Sequence, residues 1–194
     1  MRAPAEKIEV KVVEGTAELE QAKAIRAIVF VGEQRCPYAE EFDGNDSSAQ
    51  HVICFVNGEP AATMRIRYFS GFAKWERYCV LPQFRRTSAK TELVNFALDL
   101  AKNKGFHRVY FQAEQRLANF WKGHGFSTIA GGRTTRFSDR EYLEFEREIH
   151  PGAQPITIFS DPMVLNRVEG KWLQPGVLDR SIARSDARSL VTNP

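Results

Sequence analysis

Residues that could do chemistry gather in two places along this chain. The first is Val80-Leu81-Pro82-Gln83-Phe84-Arg85-Arg86-Thr87-Ser88-Ala89-Lys90, where a β-rich run gives way to a polar, basic loop and then to a helical pattern. The open amides and the dipole at a helix start favour an anion, and Arg85, Arg86 and Lys90 add positive charge suited to phosphate. An ordinary strand-to-helix turn with solvated arginines fits the same residues. The second place is the acidic run Glu40, Glu41, Asp43 and Asp46, followed by His51. Runs of this kind are usually solvated loops. Beside a helix end and a sheet, the same charges suit recognition of a cationic amine. His51 taken alone reads as a structural histidine.

The elements that must position these groups follow from periodicity. Ile8, Val10 and Val12 alternate with charged residues as a strand does. Thr16 is placed to cap a helix with Glu18 in its first turn, and Leu19, Ala22, Ile25 and Val29 share one face of a helix running to about Glu33. Arg35 to Gln50 reads as a loop with room for one helical turn. Three strands follow, His51 to Val56, Ala61 to Tyr68 and Phe72 to Leu81, turned by Asn57-Gly58 and Ser70-Gly71 into an antiparallel meander. Leu93, Phe96, Ala97, Leu100 and Ala101 make an amphipathic helix ended by Gly105, and His107 to Phe111 is the next strand. A strand, a helix and a strand at this spacing form a crossover, so the two strands should be parallel. A second helix carries Leu117, Phe120, Trp121 and His124 on one face, and Tyr142 to Arg147 supplies a last strand.

The order of elements and the string from Val80 to Lys90 resemble the coenzyme A loop of Gcn5-related N-acetyltransferases. In that family the pattern is Arg or Gln, two residues, Gly, one residue, then Gly or Ala. Arg85 matches its first position, while Ser88 and Lys90 stand where the glycines belong. Ala113-Glu114, Phe120-Trp121 and Gly125-Phe126 resemble the family's segment A-Q-x-x-A-x-x-F-Y-x-x-x-G-F, with Trp121 in place of a Tyr that often protonates the departing thiolate. An indole N–H is no usable acid at neutral pH, so that role does not carry over, and Phe120 and Trp121 read as core packing. Ile25-Arg26, Val29 to Gln34 with Glu33, the acidic run and His51 resemble the N-terminal signature of one bacterial acetyltransferase subgroup.

The resemblance implies an α/β (α+β) fold: a mixed, mostly antiparallel splayed sheet flanked by helices, over residues 1–150. Residues 151–194 are then an extension, with an added strand at Ile156 to Phe159 and an arm beyond Pro175 that carries Arg180, Arg184 and Arg188. The implied activity is N-acyl transfer from acetyl-CoA or another acyl-CoA to the amine of a small molecule or protein, without a metal. Val80, Arg85, Arg86, Thr87, Ser88, Ala89 and Lys90 would hold the donor, the sheet splaying beside Val80. Glu76 would serve as base, although a Glu salt-bridged beside Arg77 fits it equally. Glu33, Asp43 and Asp46 would contact the acceptor. The string Trp75-Glu76-Arg77-Tyr78 and the acidic loop also resemble acyl-homoserine-lactone synthases, which use an acyl carrier protein and S-adenosylmethionine. A non-catalytic module on the same fold is the rival from another class.

The bulk numbers fit these expectations. With 194 residues, 43% of them hydrophobic, the chain can bury one core without disulfides. A net charge of +3 is too small to imply nucleic acid. Cys36, Cys54 and Cys79 are too few and too widely spaced for a disulfide framework, and a cytoplasmic location is expected. The first residues lack the apolar core of a signal peptide, and no run approaches about 18 apolar residues, so no membrane partner is expected. A homodimer is left open.

Overall fold

The computed structural model describes residues 6–137 and 140–181. β1 (Ile8–Val12) leads into α1 (Gly15–Arg26), and the chain stays helical through a π-helical stretch, Ala27–Glu33. The helix therefore ends where the sequence places its end, but its last two turns are widened. Thr16 is not its cap. The amide of Glu14 instead donates to the Glu18 carboxylate at 2.8 Å, which satisfies one open group of the first turn. A single turn, α2 (Tyr38–Glu41), interrupts the loop that follows.

β2 (Gln50–Val56), β3 (Glu59–Phe69) and β4 (Phe72–Val80) form the meander, antiparallel throughout and paired to β1 through β2. Asn57 and Gly58 both have positive φ, 54° and 89°, as the tight primed hairpin turn requires. α3 (Ala89–Asn103) buries Leu93, Val94, Ala97, Leu98, Leu100 and Ala101. Gly105, at φ 78°, closes it: the Phe106 amide donates to the Ala101 carbonyl and the Gly105 amide to the Lys102 carbonyl, both at 3.0 Å. β5 (Arg108–Glu114) lies parallel to β4. It is followed by α4 (Ala118–Gly123), β6 (Ser127–Thr128), β7 (Thr135–Phe137) and β8 (Arg140–Glu148). The sheet order is β1-β2-β3-β4-β5-β8-β6, with β7 paired to β8.

Strand alternation places apolar groups on both faces of this sheet. On one face Val52, Cys54, Met64, Ile66 and Trp75 meet α3. On the other Ile53, Cys79 and Leu81 meet Ala22, Ile25 and Val29 of the first helix. Two covered faces leave the ends of the strands as the place for a site.

Beyond β8 the expected strand is absent. Thr157 to Ser160 is a turn, with the Ser160 amide donating to the Thr157 carbonyl, and Ile158 and Phe159 are 84% and 91% exposed. No described strand pairs with them, so their β propensity goes unused. α5 (Pro162–Leu165) follows, capped by Asp161, whose carboxylate accepts from the Met163 amide at 2.7 Å. The expected arm beyond Pro175 is partly folded back. Arg167 bonds both the Trp172 carbonyl and Asp179, and Trp172 is buried in the main core. Arg184 and Arg188 lie outside the described residues.

Gly170 seats this extension on β1. It has φ +81°, and a Cβ there would lie 2.8 Å from Cγ2 of Val12. Gly170→Ala should therefore cost about 1–2 kcal/mol from backbone strain alone, read as a lower midpoint in chemical denaturation. An unchanged midpoint would show that the extension does not bear on the stability of the sheet.

Candidate active site

The site begins where β4 and β5 part. They pair only at Ala73–Val109, Lys74–Tyr110 and Trp75–Phe111, so from Glu76 onward the edge of β4 that faces β5 has no strand partner. A bulge drives the parting. Thr63 pairs with Cys79 and Arg65 with Glu76, which leaves Met64 opposite both Arg77 and Tyr78. Arg77 takes a left-handed conformation, φ 54°, unfavourable for a side chain of this size. Its guanidinium is anchored to the α2 loop, donating to the Glu40 carbonyl at 2.6 Å and the Glu41 carbonyl at 3.2 Å, and it pairs with Asp43 and Glu41.

The gap is a cavity of about 520 Å³. Trp75, Phe111 and Trp121 line its apolar part, the loop around α2 contributes Cys36, Glu40, Glu41 and Asp43, and the β7–β8 hairpin contributes Arg136, Phe137, Arg140 and Tyr142. Trp121 is 2% exposed and packs against Phe111, Tyr78 and Phe126, as the reading of core packing requires.

Most carboxylates of the acidic run are spent inside the protein. Arg65 is fully buried and uses its whole donor fork: Nε donates to Glu76 at 2.9 Å, and Nη1 and Nη2 grip Asp43 at 2.7 and 2.8 Å. Nη1 also reaches Asp46 at 2.9 Å. Arg26, equally buried, donates to Glu41 at 2.5 Å and to Asp46 at 2.8 Å. The Arg65 hydrogen bonds hold the Asp43 carboxyl well below the usual carboxylate range. Burial works against ionisation of Asp46 and Glu76, but their bonds to the arginines, and to Lys74 for Glu76, outweigh it and lower both. Glu76 lies on the cavity wall with one oxygen on Arg65 and the other 2.8 Å from Lys74. Both oxygens are therefore engaged in salt bridges. The expected acidic recognition surface is divided: Asp43 reaches the cavity, Asp46 is partly buried and held by Arg26 and Arg65 outside the cavity lining, and Glu33 pairs with Arg85.

The basic loop keeps part of the charge expected of it. Arg85 is committed, its Nε to the Val80 carbonyl and its two Nη atoms to Glu33. Arg86, Ser88 and Lys90 are exposed, and their amides have no acceptor among the described residues. The Thr87 hydroxyl accepts from the Ala89 amide at 3.2 Å, which tightens the helix start. Ala89 is wholly buried against the sheet, and Val80 is 8% exposed. Ser88 and Lys90, in the glycine positions, thus point outward rather than filling the loop. His51 is a structural residue: its Nε2 sits 3.1 Å from the Asp46 carbonyl, and burial lowers its pKa, keeping it neutral.

Sequence reading did not pick out Gln112, Arg136, Arg140 or Tyr142. Gln112 on β5 bonds Thr135 on β7 over the intervening β8 at 3.1 Å, and Phe137 packs edge-on against Tyr142. These residues reach the site only because β7 and β8 fold back beside β5, and nothing in their spacing announces that.

Comparison with known proteins agrees with this geometry. Residues 18–126 match the acetyltransferase (GNAT) family. YjcF, an uncharacterised N-acetyltransferase of Bacillus subtilis (strain 168), is 27% identical over 127 residues, 66% of this chain and 85% of that protein. An acyl-CoA N-acyltransferase from Pseudomonas aeruginosa superposes with a TM-score of 0.63 at 23% identity, over 74% of this chain and 99% of that one. The CoA-dependent acyl-homoserine lactone synthase BjaI gives a TM-score of 0.58 at 14% identity, over 68% and 76%. At these identities the two structures speak to the fold.

The ion network makes a prediction about pH. Asp43, Asp46 and Glu76 are lowered in the folded protein, so their stabilisation is complete above the unfolded values near pH 4 and is lost as pH falls through the folded values. Asp43→Asn should cost about 2 kcal/mol at pH 7 and flatten the acid limb, followed by urea midpoints between pH 7 and pH 3. A wild-type acid limb retained in the variant would remove Asp43 from the network's energetics.

Proposed function

The chain belongs to the acetyltransferase (GNAT) family, and from that premise we propose that it transfers an acyl group from acyl-CoA to an amine. The observation that carries the reading is the parting of β4 and β5 directly beside the basic start of α3. The open amides of Arg86, Ser88 and Lys90, with the charges of Arg86 and Lys90, suit the donor's phosphates. The unpaired edge of β4 from Glu76 to Val80 then offers backbone groups to the pantetheine arm, and a backbone N–H to the thioester carbonyl.

The acceptor amine would enter between the α2 loop and the β7–β8 hairpin. Its nitrogen attacks the thioester carbon, an N–C bond forms, and the C–S bond breaks. The proton shed by nitrogen passes through water to Glu76, held ionised by Arg65 and Lys74. The thiolate takes a proton from solvent, since Trp121 supplies none. Three free cysteines suit a reduced, cytoplasmic setting, which we assign as part of the same proposal.

Two measurements test this. Acetyl-CoA at about 100 times its dissociation constant should stabilise the protein by about 2.7 kcal/mol, and Arg86→Ala combined with Lys90→Ala should weaken its binding and flatten its salt dependence. Unchanged affinity would sink the placement of the donor. Glu76→Gln should lower kcat by about 100-fold while moving KM much less, read as release of free CoA with an accepted amine. Turnover and pH profile equal to wild type would remove Glu76 from the reaction.

A further inference from the structure

The cavity's polar groups divide sharply into those already paired and those left over. Glu41, Asp43, Glu76 and Glu114 are each bound by at least two cationic side chains. Arg116 and Arg140 both grip the carboxylate of Glu114, beside Arg136 on the same wall. Arg136 lines the cavity from β7. No ion pair joins it to Glu141, the residue opposite in register, or to any other described residue. Trp75 and Trp121 also line the cavity with their rings. Each side chain is 2% exposed and neither Nε1 has an acceptor. One carboxylate on the wall has no cation partner among the described residues, that of Glu40 on α2.

We propose that the acceptor is an amino acid, an amine with a carboxylate beside it, and that Arg136 receives the carboxylate. This rests on the acyl-transfer reading. A planar guanidinium matches a carboxylate bidentately. The Glu40 carboxylate, which has only the Cys36 thiol as a partner among the described side chains, suits the arriving ammonium before it loses its proton. Phe111, Phe137 and Tyr142 then face the side chain, which favours an aromatic or large apolar residue. The charge thus selects for the acceptor's anionic group, where the acidic run alone had pointed to a purely cationic one.

The test compares L-phenylalanine, its methyl ester and phenethylamine as acceptors at saturating acetyl-CoA, with product measured by mass spectrometry. L-Phenylalanine should exceed both analogues in kcat/KM by about tenfold or more. Arg136→Ala should abolish that preference by raising the KM for L-phenylalanine, with the KM for acetyl-CoA unchanged, and Arg136→Lys should restore part of it. Equal or better use of phenethylamine would overturn the inference, as would an effect of Arg136→Ala on acetyl-CoA alone. Absence of product with every acceptor would instead count against acyl transfer. In that case binding of L-phenylalanine and phenethylamine, followed by tryptophan fluorescence, decides the inference by itself. Binding of the amino acid about tenfold tighter supports it, and equal or weaker binding overturns it.

Discussion

A sheet can open only if something stops two neighbouring strands from pairing, and here that constraint is the bulge at Arg77 and Tyr78. Two residues of β4 against one of β3 bend the strand, and after three pairs with β5 the two separate. The cavity, the free backbone edge and the approach from the start of α3 all follow from this one irregularity. A regular ladder would have run on to Val80 and closed the gap.

Holding a long side chain at positive φ needs compensation, and the buried arginines supply it. Arg77 is anchored to the backbone of α2, α2 is anchored through Glu41 to Arg26, and Arg65 ties Asp43 and Asp46 to Glu76 on β4. First helix, loop, β3 and β4 are thereby fixed by one set of charge-assisted bonds. Such a network is a weak source of net stability because both signs are desolvated, but breaking any one pair strands its partner in the interior. Its effect is on geometry: it sets where the α2 loop sits over the cavity.

Local periodicity carried most of the fold. The meander, its Asn57-Gly58 turn, α3 with its Gly105 stop and the parallel crossover are each legible because each is decided by neighbours within a few residues. Ile156 to Phe159 was misread for the complementary reason: its propensity was local, but a strand needs a free edge, and that is a property of the whole sheet. The site divides along the same line. The basic loop was visible because it sits at one junction. The acidic run was visible as charge, yet its role was not, since Asp43 and Asp46 are answered by Arg65 and Arg26 from elements about 20 residues away. Arg136 and Tyr142 carry no local mark at all.

The departures from the family's loop and aromatic segment bear differently on chemistry. Ser88 and Lys90 are exposed at the helix start, so they alter what meets a phosphate without filling the space it needs. Trp121 is more consequential, because it replaces a hydroxyl with an indole in the apolar part of the cavity. The Tyr78 hydroxyl does not take over readily: it donates to the Lys90 carbonyl, and burial pushes its pKa up, so it gives up a proton poorly. The chemistry tolerates this because a thiol has a pKa near 8.5 and its thiolate departs without prior protonation. The harder demand is on the other side, where an amine must be neutral to attack. In the proposed reaction the charges gather around that step: Glu76 held ionised by Arg65 and Lys74, Glu40 without a cation partner among the described residues, and Arg116 and Arg140 on Glu114. On that proposal, the site controls the acceptor more closely than the leaving group.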